Sequence, residues 1–402
     1  MSSAQSIPSF SSVSVSLSPP PPLSLSRFLS LHSKEAKHLY SLSNTTASSL
    51  LSLVRVPKGS SWQPIMTADT TTSSYWINWR VLLCTIWISI AMTLSVILVC
   101  KYEERPRSSK RGNSGENQQQ TSAGTLFEDE TWRPCLKGIH PAWLLAFRVF
   151  AFIVLLVLLI ITASVDGGSI FLYYTQWTFT LITIYFGLGS LLSIRGCYRY
   201  HKKTAGDRVD IFEVDTEQGS AHVTPSHGGS SKDSIIEKPS GPHVEQPQVR
   251  QLAGFSGYIF QIIFQMNAGA VLLTDCVFWF VLVPFLTIKD YNLNFLIINM
   301  HTINAVFLLA DTALNSLPFP WFRIGYFFLW TIVYVVFQWL FHACVKLWWP
   351  YPFLDLSSPY APLWYLSVGL LHIPCYSIFV LVMKLKYHLF STRYPESYQC
   401  AR

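Results

Sequence analysis

Seven long apolar runs dominate what this chain can fold into. Residues 81 to 100, 142 to 165, 170 to 194, 264 to 286, 294 to 316, 324 to 345 and 361 to 383 contain only three full charges, Arg148, Asp275 and Asp311. Every run is at least 20 residues long, enough for a helix to cross a hydrocarbon core about 30 Å thick. In lipid each backbone polar group must be satisfied within the chain, so the runs predict an all-α polytopic membrane bundle of seven transmembrane helices. Pro284 and Pro374 fall inside spans as tolerated kinks. The string GYIFQIIFQ before the fourth run either extends that helix or lies flat at the interface.

Composition narrows the function classes. Charged residues make up 13% of the 402, against 50% hydrophobic and 15% aromatic, which excludes an ordinary soluble enzyme and a disordered chain. The net charge of +7 reads as membrane topology rather than nucleic-acid binding. KYEERPRSSKRG after the first span, RGCYRYHKKTAGDR after the third and KLKYHLFSTR after the seventh are basic. The opposite loops hold only Lys289 and Lys346. The positive-inside rule therefore predicts an integral membrane protein with its N-terminus outside or lumenal and its C-terminus cytosolic, in a compartment the sequence leaves open.

The chain divides accordingly. Residues 1–65 hold 20 Ser and one acidic residue, Glu35, and read as disordered, either a transit segment or an over-extended start with Met66 as the first residue. Residues 66–141 carry the first span and a cytosolic loop, and 142–194 the second and third spans. Residues 195–263, rich in Ser, Gly and Pro, read as a disordered cytosolic linker. Residues 264–383 carry spans four to seven, and 384–402 a cytosolic tail. The eight cysteines form no CxxC pair, so no disulfide framework or zinc knuckle is legible.

Polar groups inside spans single out candidate sites, since each costs at least about 2.5 kcal/mol there without a partner. At about 1.5 Å per residue, Thr175 and His301 come to the same level of the outer leaflet. A hydroxyl becomes a nucleophile when a base takes its proton, and neutral His is the usual base. Asn304 and Thr302 neighbour His301. Asp275, nearer the midplane, either orients the imidazole or joins a lower pair, Arg148 with Asp311, which match in depth as a structural ion pair. The competing readings are interhelical hydrogen bonding for Thr175 and His301 and snorkelling for Arg148. Trp348, Trp349, Tyr351 and Phe353 read as an interfacial aromatic belt, or else as a lid with Asp355 near its entrance. His342 faces the same layer, and His372 reads as a packed core residue. No P-loop, GxGxxG, HExxH or GxSxG stands in a credible context.

The strings YYTQWTFTLITIYFGL, INMHTINAVFLLADTALN and WWPYPFLDLSSPYAPLWY resemble plant multi-pass proteins related to rolling stone and, more distantly, the androgen-induced membrane hydrolases. The resemblance spans about residues 140 to 390. It implies a six-helix core, here with one extra N-terminal helix, and hydrolysis of fatty acid esters of hydroxy fatty acids. The family's Thr nucleophile falls on Thr175 within YYTQW, its His on His301 within NMHT, and its Tyr-Pro-Phe-Leu-acid motif on Tyr351 to Asp355. Gln176 stands where those hydrolases are apolar. The expectation is an intramembrane threonine hydrolase of fatty acyl esters, with Asn304 and Asp275 in support. It implies no metal or organic cofactor, and its partners are the lipid bilayer and an acyl ester, with no nucleic acid. A non-enzymatic membrane organiser of rolling stone type and a small-solute transporter are the alternatives.

Overall fold

The computed structural model describes residues 68–103, 124–218, 250–284 and 295–400. The Ser-rich segment 1–65 and residues 219–249 of the connection lie outside the described residues. Helix α1 is Trp79–Glu103, α2 Pro141–Asp166, α3 Tyr174–Gln218 and α4 Phe255–Val277, which continues as a π-helical turn through Leu282. Helix α5 is broken into Phe295–Met300 and Ile303–Leu314; α6 is Ile324–Cys344 and α7 Ala361–Arg393. Among the described residues seven helical segments are long and apolar enough to cross a membrane. The protein is thus an all-α, multi-pass membrane bundle. One end carries the basic loops and is called the basic end below; the other is the far end.

Local sequence explains the helix limits. Pro141 opens α2 at a position whose N–H has no helical partner, and His140 Nδ1 accepts from Ala142 N at 3.2 Å. Gly167 closes it with φ 73°, a conformation that costs glycine little. Hydroxyls inside spans bond back to the carbonyl one turn earlier, as Thr85, Thr162, Thr183 and Thr312 do, which satisfies them in lipid. Helices α4 and α6 approach closely at Gly269, where a Cβ would stand 2.3 Å from the Phe327 ring.

Three expectations are corrected. The connection read as disordered from 195 to 263 is helical at both ends. Helix α3 runs on to Gln218, because residues 195–218 contain no proline and only Gly196 and Gly206 to weaken the helix. Helix α4 starts at Phe255, because Phe260, Gln261 and Phe264 form a fully buried face. The aromatic run after α6 is no lipid-facing belt: Trp348, Trp349 and Tyr351 are buried, Trp349 stacking on His342 with ring centroids 3.9 Å apart. Cys135 and Cys400 form a disulfide 265 residues apart in sequence, a pairing made by folding and invisible to spacing.

The core is aromatic. Tyr185, Phe186, Phe260, Phe264 and Phe307 interlock between α2, α3, α4 and α5, with Tyr185 stacked on Phe260 at 4.7 Å. Beyond the basic end, residues 124–140 pair with 250–253, 314–316 and 397–400 through isolated antiparallel bridges. Among the described residues no strand forms.

Candidate active site at the far end

Helix α3 begins at Tyr174, after a 3₁₀ turn over Gly168–Leu172. Thr175 is therefore in its first turn, and its Oγ1 lies 3.4 Å from Tyr351 OH in the loop after α6. The next residue, Gln176, is buried, and its Nε2 donates to Met300 Sδ at 2.9 Å. Met300 ends the first segment of α5. His301 and Thr302 occupy the break that follows: His301 N still donates to Ile297 O at 3.2 Å, but Thr302 N turns to Asn299 O at 3.2 Å and its φ of −130° leaves the helical region. Broken helices are tolerated at membrane depth only when enclosed by protein or lining a cavity.

His301 is enclosed. Its ring stacks on Phe278 at 3.7 Å, with 4° between the planes, and Trp279 Nε1 donates to its carbonyl at 3.5 Å. Both aromatics belong to the π turn of α4, and such turns recur at functional sites. Asp275, just before the turn, presents Oδ1 3.5 Å from His301 Nδ1. That separation is an ion-pair distance. Neither atom has a hydrogen-bond partner among the described residues, and nor does the buried Gln176 Oε1. The Asn304 side chain lies beside Asp275, and its Oδ1 accepts from Ala305 N at 2.8 Å. Asp275 thus sides with His301 and Asn304, not with the lower pair.

The structure does not join Thr175 to His301 by any described contact. Thr175 lines a small cavity of about 60 Å³ together with Leu273, Thr274, Val277 and Tyr351. His301 packs instead on Asp275 and Phe278. Positions 274 and 277 lie about 100° around the helix from 275 and 278, so the two side chains meet neighbouring faces of the last turn of α4. Gln176 and Met300, one residue from each, bridge the same level.

The small cavity adjoins a larger one of about 640 Å³ between α1, α6 and α7, with Thr331, Val335, Phe353, Leu354 and Val368 lining both. At their shared wall Tyr174 OH lies 2.8 Å from Thr331 Oγ1, which lies 2.8 Å from His372 Nε2. His372 Nδ1 is 2.8 Å from Val368 O, a carbonyl that can only accept. That fixes the ring proton on Nδ1 and leaves Nε2 to accept from Thr331. Sequence reasoning missed this second Thr–His pair because it reads His372 as a packed core residue and singles out no polar partner for it on α6. His342 is likewise occupied, by Gln338 O at 2.8 Å and Trp348 O at 3.2 Å.

Asp355 does not stand at an entrance. Its Oδ1 accepts from Tyr75 OH at 2.9 Å and from Ser357 N at 2.8 Å, and Trp349 Nε1 donates to Tyr75 OH at 3.1 Å. Burial, and then the Asp355 charge, push the Tyr75 phenol above its ordinary range, so it stays a neutral donor. The loop is pinned over the far end of the bundle.

Arg148 and Asp311 meet nearer the basic end. Arg148 Nε donates to Asp311 Oδ1 at 2.8 Å, with both side chains fully buried. Arg148 Nη1 donates to Thr131 O at 2.8 Å and to Ser193 Oγ at 2.9 Å. Tyr185 OH and Asn315 Nδ2 both donate to Asp311 Oδ2, at 2.5 and 2.8 Å. Lys386 Nζ donates to Asn315 O at 2.6 Å. Among the described residues no group of three His, Cys, Asp or Glu gathers around a point where a metal ion could sit. No family profile, curated protein or solved structure matches the chain.

Proposed function

We propose that this multi-pass membrane protein is an intramembrane hydrolase of fatty acyl esters, with Thr175 as nucleophile and His301 as general base. The carrying observation is the enclosed His301–Asp275 pair at a helix break, one residue from the Gln176–Met300 contact that ties α5 to the start of α3. Asp275 at Nδ1 orients the ring and leaves Nε2 to take a proton. The acyl chain lies in the apolar cavity between α1, α6 and α7, and the ester reaches Thr175 through the adjoining small cavity.

In the first step Thr175 Oγ attacks the acyl carbonyl while its proton passes to His301 Nε2. The protonated ring then delivers that proton to the departing alkoxide, leaving an acyl-threonine. Water, deprotonated by the same nitrogen, releases the fatty acid and restores the hydroxyl. This chemistry requires Nε2 to come within about 3 Å of the hydroxyl, and catalytic hydrogen bonds often tighten only when substrate is bound.

The test is turnover of branched fatty acid esters by the purified protein in nanodiscs. Thr175→Ala and His301→Ala are each expected to lower turnover by about 100-fold or more, with Thr175→Ser retaining part of it. Loss in Thr331→Val but not in Thr175→Ala moves the nucleophile to the Thr331–His372 pair. Full activity in Thr175→Ala and His301→Ala together sinks the catalytic assignment. Absence of turnover in the wild type, combined with loss of cellular function on deleting residues 219–249, favours a membrane organiser.

A further inference from the structure

The basic end is closed by a cap in which distant segments of the chain pair. Ala253 N donates to Leu126 O at 2.9 Å, and Cys135 N to Leu314 O at 2.9 Å. Ser316 Oγ donates to Arg133 O at 2.7 Å. The tail after α7 docks on the same strip: Lys137 N donates to Ser397 O at 2.7 Å and Gln399 N to Cys135 O at 3.0 Å, while Gln399 Nε2 donates to Pro134 O at 2.9 Å. These bonds hold Cys135 and Cys400 with Cα atoms 5.1 Å apart, joined as a disulfide. Both cysteines are buried, and Cys400 is the less covered. The strip also seats the ion pair, since Thr131 O receives Arg148.

The charge pattern sets this bond in an unexpected compartment. The same end carries Lys101, Arg195, Arg199, Lys202, Lys384 and Arg393, which the positive-inside rule assigns to the cytosol. Cytosolic thiols are kept reduced, and disulfides there are mostly transient or redox-sensing. The tail is docked by three hydrogen bonds that do not involve sulfur, so the reduced thiols stay within bonding reach and closing them needs no refolding.

We infer that Cys135 and Cys400 form a reversible thiol–disulfide staple on the cytosolic cap, closed and opened by exchange with a low-molecular-weight disulfide such as oxidised glutathione. Cys400, the less covered, loses its proton and attacks glutathione disulfide, forming a mixed disulfide and releasing one glutathione thiolate. Cys135 thiolate then attacks the Cys400 sulfur, forming the internal bond and releasing the second. Two protein thiols are oxidised by two electrons, one glutathione disulfide becomes two glutathiones, and the two protons end on them. Closure ties the tail of α7 to the strip under Arg148. The open form holds that tail by hydrogen bonds alone.

The experiment uses the full chain in native membranes, equilibrated across reduced-to-oxidised glutathione ratios, acid-trapped and treated with a mass-tagged maleimide. The expected result is a reversible gain and loss of two tags, with a Cys135–Cys400 peptide recovered from the oxidised sample. Trypsin cutting after Arg393 is expected to free the tail from the reduced form and leave it attached in the oxidised form. Cys135→Ser and Cys400→Ser each abolish the transition; the wild-type titration stands without them. The native Cys100, exposed near the basic end, is expected to react with an impermeant maleimide only when the reagent enters the cytosol. A pair that stays open in fully oxidised glutathione, or closed in excess reduced glutathione, overturns the staple. So does labelling of Cys100 from the side away from the cytosol, which makes the bond a structural one in an oxidising compartment.

Discussion

Arg148 and His301 are both ionisable side chains inside a lipid-spanning bundle, and the fold accommodates them on different terms. Around Arg148 the polar groups are nearly all matched. Asp311 receives Arg148, Tyr185 and Asn315, and Arg148 also reaches Thr131 and Ser193. Its Nη2 alone lacks a partner, and the guanidinium lies 5.0 Å from the centroid of the Phe260 ring. Around His301 the atoms of Asp275, Gln176 and His301 that face inward remain unmatched. A saturated buried network costs heavily to disturb and fixes geometry. An under-satisfied one keeps bonding capacity for something else, so the comparison separates architecture from a site.

The strongest way to break this comparison is Asp311→Ala. Removing one partner strands a buried guanidinium, and the expected loss is about 3–5 kcal/mol of stability, read as a lower thermal midpoint in detergent micelles. Replacing both partners, Arg148→Met with Asp311→Leu, is expected to recover most of that loss, because no charge is left alone. Equal losses in the single and double variants mean that the network's worth is in packing rather than charge.

Tyr185→Phe is a milder cut. It removes one of the bonds to the Asp311 carboxylate and leaves Asn315 in place, so about 1.5–3 kcal/mol is expected, the range for hydrogen bonds to charged groups. The contrasting variant is Gln176→Leu at the far end. Its amide oxygen has no partner to lose and its Nε2 gives up only a bond to a thioether, a weak acceptor, so stability is expected to stay within about 1 kcal/mol of wild type or to rise. Activity toward acyl esters is expected to fall. A large loss of stability in Gln176→Leu erases the distinction between the two clusters.

Particular residues show what the chain displays before it folds. Counting from span ends brings Arg148 and Asp311 to one level because α2 and α5 cross the bilayer as continuous stretches over that half. Asn315 is one turn from Asp311 and was open to the same counting. Tyr185 and Ser193 escaped because their polar tips emerge from an aromatic, apolar helix whose azimuth no single sequence reveals. Lys386 escaped because residues 384–402 read as a cytosolic tail beyond the last span, whereas α7 runs on to Arg393. For Thr175 and His301, depth supplies the level but not the direction. The break at His301 and Thr302 resets the helical phase, and the π turn after Asp275 re-aims Phe278 and Trp279. Both arise from tertiary packing, as does the docking of the tail that brings Cys400 to Cys135.

The smallest effect probes the cap over the saturated network. Glu130 is 3% exposed at its side chain, and Arg250 Nη2 lies 3.2 Å from it. Its Oε2 accepts from Phe127 N at 2.9 Å. Burial raises its carboxyl above the usual range, partly offset by the Phe127 N–H and by Arg250. A group with a raised folded value binds a proton on folding between the unfolded value, about 4.3, and the folded one. Its contribution is therefore complete below the unfolded value and lost as pH rises through the folded one. Glu130→Gln keeps an acceptor for Phe127 N–H but cannot ionise, so its melting temperature relative to wild type is expected to climb as pH rises from 4 toward 7. A gap that shrinks over that range means that pairing with Arg250 outweighs burial, and that the cap, like the Arg148 network beneath it, is held by a matched charge.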